Sequence, residues 1–71
     1  MKINIDKEND KLVFRLSDEE IFESEVKSPG IILDYSKDGE VVGIEIFDFK
    51  DKFPIEELSN IEVEVTDAQI G

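Results

Sequence analysis

The residues best placed to do chemistry are Asp34, Ser36 and Asp38, followed by Gly39 and Glu45. Counted from Asp34, side-chain oxygens fall at the first, third and fifth positions, glycine at the sixth and glutamate at the twelfth. That is the spacing of the twelve-residue EF-hand loop, whose oxygens wrap a calcium ion. The flanks point elsewhere. Ile31-Ile32-Leu33 and Val41-Val42-Gly43-Ile44 read as strands, whereas an EF-hand loop sits between helices. In an extended chain Glu45 lies about 16 Å beyond Glu40, at ~3.3 Å per residue, too far to close a shell with Asp34 and Asp38. Asp-Gly is also common in hairpin turns. The expectation is therefore a hairpin turn, with a weak divalent-cation site at Asp34, Ser36 and Asp38 as the alternative.

Other carboxylates cluster more loosely. Asp6, Glu8 and Asp10 alternate within a polar turn. Glu23 with Glu25, and Glu62 with Glu64, fall on shared strand faces roughly 7 Å apart. A glycosidase can use two carboxyls at such a separation, but it needs a deep cleft that a chain this short does not build. The sequence has no His and no Cys, so the commonest base, nucleophile and soft metal ligands are missing. No catalytic residue, no cofactor and no enzymatic activity are expected.

Nineteen acidic residues oppose eight basic ones, for a formal charge of −11. Such a chain repels nucleic acid and anionic membrane surfaces, and a basic protein is the better macromolecular partner. Residues 1–6 carry no long apolar run, and no stretch approaches the ~20 apolar residues of a membrane span. No signal peptide and a cytoplasmic location are expected. With 71 residues the chain makes one small domain, 1–71, with a thin core. It is read as a monomer or a homodimer, the latter being a common route to extra burial.

The elements that must position these residues follow from a period of two. Ile3 and Ile5 mark a first strand. Leu12, Phe14 and Leu16 share one face of a second, with Val13, Arg15 and Ser17 on the other. A third, Ile21 to Lys27, is weak and suits a sheet edge. Ile31–Tyr35 and Glu40–Phe47 form the clearest unit, a hairpin with Gly39 in the left-handed conformation. In the register expected for it, Leu33 faces Val42 and Ile31 faces Ile44. A short helix is predicted from about Pro54 to Leu58, and Ile61, Val63 and Val65 predict a last strand. The tail from Asp67 is expected to fray. The fold class is α+β, mostly β: an antiparallel meander of about six short strands with one short helix near the C-terminus.

The run from Pro29 to Ile46, Pro-Gly-Ile-Ile-Leu-Asp-Tyr-Ser-Lys-Asp-Gly-Glu-Val-Val-Gly-Ile-Glu-Ile, resembles the signature of an uncharacterised prokaryotic family. The family is catalogued as domain of unknown function twenty-two eighty-three. Asp6, Asp10-Lys11-Leu12, Arg15-Leu16 and Glu23-Ser24 fit it too, so the likeness covers roughly residues 1 to 50. The family usually has aspartate where Ser36 stands, alanine at Lys11 and tyrosine at Val13. The resemblance implies a small β-rich domain and assigns no activity. It agrees with an acidic partner for a basic, toxin-like protein. The functional expectation is a small acidic non-catalytic protein-binding module. The alternative is a weak divalent-cation-binding domain using the Asp34–Gly39 turn.

Overall fold

A computed structural model describes residues 1–67, and the side chains of Ile55, Leu58 and Ser59 lie outside that description. Five antiparallel strands form one open sheet: β1 (Lys2–Asp6), β2 (Lys11–Arg15), β3 (Glu23–Ser28), β4 (Ile31–Tyr35) and β5 (Val41–Phe47). The spatial order is β1-β2-β5-β4-β3. The expected meander therefore holds within β1–β2 and within β3–β4–β5, but not across the whole sheet. The 16–22 connection carries the chain to the far edge, and β5 returns beside β2. Strands β2 to β5 thus have a Greek-key order, traced in reverse chain direction. Leu16 N–H donates to the Val42 carbonyl at 2.9 Å, and Arg15 Nη2 donates to the Glu19 carbonyl at 2.9 Å, which ties down the start of that connection.

Pairing register separates two faces, because residues opposite each other across a ladder share a side of the sheet. One row runs Ile3, Phe14, Ile44, Leu33; the next runs Ile5, Leu12, Ile46, Ile31. This is the apolar face. After β5, Asp48 turns the chain with φ 55°, and a single helical turn, α1 (Phe49–Lys52), folds back over it. Phe49 and Phe53 rings stack at 4.9 Å between centroids, and with Ile61 they surround an apolar cavity of about 270 Å3 against Leu12, Phe14 and Ile46. Leu12, Val42 and Phe49 are the buried apolar residues of the described part.

The hairpin is the one expected, with a different register. Leu33 faces Ile44 and Ile31 faces Ile46, a shift of two residues from the expected pairs. A bulge between Asp34 and Tyr35 supplies one residue of the shift, and the connection of five residues, 36–40, where four were expected, supplies the other. A shift of two keeps every side chain on its proper face, so the alternation alone could not choose between the registers. The turn closes with Ser36 N–H donating to Glu40 O at 2.9 Å and Gly39 N–H donating to Ser36 O at 3.0 Å. Gly39 takes φ +83°, as predicted.

Two further expectations need adjustment. Helical structure is present near Pro54 as a 3-10 segment, Ile55–Asn60, preceded by the unpredicted α1. The predicted sixth strand is not formed: residues 61–67 belong to no helix or ladder. Its alternation is real, but a strand exists only where a neighbour accepts its hydrogen bonds. The expected fraying of the tail falls, beyond Asp67, on residues outside the described part. Among the described residues no helix is long and apolar enough to cross a membrane.

Candidate functional site

The second face of the sheet is polar at its centre. One row runs Lys2, Arg15, Gly43, Asp34, Ser24, and the next runs Asn4, Val13, Glu45, Ile32, Val26. The sheet thus brings Asp34 and Glu45 together with Ser24, from three strands. Asp34 is 1% exposed. Ser24 Oγ donates to its Oδ1 at 2.6 Å. Gly43 makes room for its other oxygen: a Cβ built there would stand 2.9 Å from Asp34 Oδ2.

Glu45 lies at the open side of this cluster. Burial pushes its carboxyl above the usual glutamate value of 4.5. Hydrogen-bond contact with Asp34 and the Asp34 charge push it the same way, because the protonated form relieves two neighbouring carboxylates. Lys11 opposes both effects; its Nζ lies 3.5 Å from Glu45 Oε1 and 5.6 Å from the Phe47 ring centroid.

A stability consequence follows from that upward shift. A carboxyl whose folded-state value is raised binds a proton more readily in the folded than in the unfolded chain. Its stabilising contribution is complete below the unfolded value and is lost as pH rises through the folded one. Denaturant midpoints at pH 5 and pH 7 should therefore differ in favour of pH 5. In Glu45→Gln the difference should shrink, leaving only the general repulsion of a chain of charge −11. An unchanged difference would refute the assignment. Asp6 behaves oppositely. Asn9 donates to it from both side chain and backbone and lowers its carboxyl below 3.8, so its contribution disappears only in stronger acid.

The cation-loop residues are dispersed. Asp34 is turned into the sheet toward Ser24. Ser36 is buried, and its Oγ accepts from Glu40 N–H at 3.3 Å. Asp38 is exposed at the turn, and Glu45 lies beside Asp34 rather than beside Asp38. Among the described residues no group of three or more carboxylates is arranged to hold a metal ion. The Asp6-Glu8-Asp10 cluster has other work. Asp6 bonds Asn9, while Asp10 Oδ1 accepts from Lys50 N–H at 3.0 Å and anchors α1 to the β1–β2 turn. Glu23, Glu25, Glu62 and Glu64 are exposed.

Sequence reasoning had Asp34 and Glu45 as ends of a loop, and missed that a sheet would pair them. One signal was available: a charged residue inside an apolar strand, with a glycine in mid-strand on its hairpin partner. A glycine there often marks a close approach by another group.

The fold and this site define a small open-sheet β domain with a buried aspartate beside a half-buried glutamate and an acidic exterior. The chain belongs to the family described as protein of unknown function (DUF2283), whose pattern it matches over residues 2–50. The match spans all five strands and α1 as far as Lys50. No curated protein and no solved structure matches the chain.

Proposed function

We propose that this domain is a cytoplasmic, non-catalytic protein-binding module that receives a basic protein segment along β3. The observation that carries the reading is β3 itself. It forms one edge of the sheet, all six of its residues are exposed, and it presents Glu23 and Glu25 on one face and Val26, which is 70% exposed, on the other. The 68% exposed Phe22, whose N–H donates to the Tyr35 carbonyl at 2.8 Å, continues the same edge, and the exposed Asp18, Glu19 and Glu20 precede it in the chain. An exposed edge offers unpaired backbone groups to an incoming strand, and side chains then supply specificity. Acids on one face and two apolar anchors on the other suit a strand in which lysines or arginines alternate with apolar residues. A non-catalytic role is supported by the missing His and Cys and by the enclosure of Asp34.

Wild type and a Glu23→Lys/Glu25→Lys variant, used as parallel baits in lysate of the native host at about 0.15 M salt, test this. The wild type should retain a basic protein in stoichiometric amount, and the variant should retain about tenfold less. Recovery of no stoichiometric partner, or equal recovery by both baits, would count against the reading.

A further inference from the structure

The opposite edge of the sheet poses a separate question. β1 pairs with β2 on one side and with no described strand on the other. The segment from Ile61 to Thr66 has strand alternation and forms no ladder, and its first four residues come near the start of β1. Val63 and Val65 are each 81% exposed. Met1, Lys2, Ile3 and Phe14 of the sheet and the run from Ile61 to Glu64 border a cavity of about 690 Å3. The segment thus shares a cavity with β1 and forms no ladder with it.

The protomer is also less compact than its mass requires. A monomer of 8.1 kDa should expose about 4,500 Å2, whereas this chain exposes 5918 Å2. Its radius of gyration is 14.4 Å, against about 11 Å for a compact domain of this length. The excess surface, about 1,400 Å2, exceeds the ~800 Å2 that each partner contributes to a standard interface.

We propose that residues 61–66 are a β-strand whose partner is β1 of a second copy of this chain, exchanged reciprocally about a two-fold axis. The two strands are complementary. Val63 and Val65 would join the face of Ile3 and Ile5, while Glu62 and Glu64 would join the face of Lys2 and Asn4. Pairing satisfies the free edge of each β1 and covers each pair of exposed valines, and exchange of an identical element is a low-cost route to a dimer. It also leaves the β3 edge free.

Sedimentation equilibrium of the full chain, from low-micromolar to about 0.5 mM protein, reads the outcome. The expected mass rises from 8.1 kDa to twice that value. Val63→Glu/Val65→Glu should weaken the dimer by at least about tenfold. Both side chains are exposed in the protomer, so the far-ultraviolet circular dichroism spectrum should not change. Glu23→Lys/Glu25→Lys, which tests the β3 reading, should leave the dimer unaffected. A monomeric mass at every concentration would overturn the proposal. So would a dimer that survives the valine changes or is lost with the β3 changes. Amide-exchange protection of residues 61–66 that does not depend on concentration would place the strand on its own β1, and would overturn it too.

Discussion

Replacing Leu12 with alanine is expected to destabilise the domain by about 3 kcal/mol, within the range of about 2–5 kcal/mol measured for buried leucines. Leu12 is 3% exposed and sits mid-sheet, opposite Ile5 on one side and Ile46 on the other, beneath the aromatic pair of the α1 region. Truncation removes three carbons from water-excluded surroundings and enlarges a cavity already present there. The surrounding sheet is tied by ladders on both sides, so it cannot collapse into the space. A chain of 71 residues has only about 4–11 kcal/mol of stability in total. At about 4–8 °C per kcal/mol, the melting temperature should fall by roughly 12–24 °C. Thermal unfolding followed by circular dichroism measures this. A shift under about 4 °C would mean that Leu12 is not part of a packed core.

Gly43→Val is expected to be the second most damaging change, at about 2–3 kcal/mol, with Gly43→Ala milder. An added Cβ would meet Asp34 Oδ2 at 2.9 Å, Asp34 Cβ at 3.4 Å and the Phe14 carbonyl at 3.4 Å. A long surface side chain would swing aside at little cost. Asp34 cannot, because it is enclosed and its other oxygen is held by Ser24. The branched atoms of valine must then displace a ladder backbone or break the short hydrogen bond. A double-mutant cycle isolates the cause. In an Asp34→Ala background the closest obstacle, Oδ2, is gone and only ordinary contacts at 3.4 Å remain, so Gly43→Ala should become neutral or stabilising by up to about 1 kcal/mol, since alanine restricts the unfolded chain more than glycine does. Denaturant midpoints of the four proteins give the coupling. Additive effects would show that Gly43 is required for some reason other than room for Asp34.

These two variants also mark where the sequence was informative. Leu12 belongs to an alternating run, and alternation is a local property that fixes which side chains turn inward. The same logic found β1, β2, the edge character of β3 and the Asp38-Gly39 turn, whose conformation glycine permits locally. Gly43 and Asp34 were visible as residues but not as neighbours, because their meeting depends on a register set by a bulge together with a five-residue connection. The EF-hand spacing misled for a related reason. It counts positions along the chain, whereas a metal shell depends on where those positions are in space.

What the sequence determined by itself was its acidity, its lack of His and Cys, its mostly β character and its best hairpin, since each depends on composition or on contacts between near neighbours. Tertiary structure alone decided the sheet order, the pairing of Asp34 with Glu45, the use of Asp10 to hold α1, and the unpaired state of residues 61–67. Each of these joins segments distant in sequence or depends on whether a neighbour is there to bond. A strand pattern specifies how a segment would pair, and only the assembled sheet specifies whether it does.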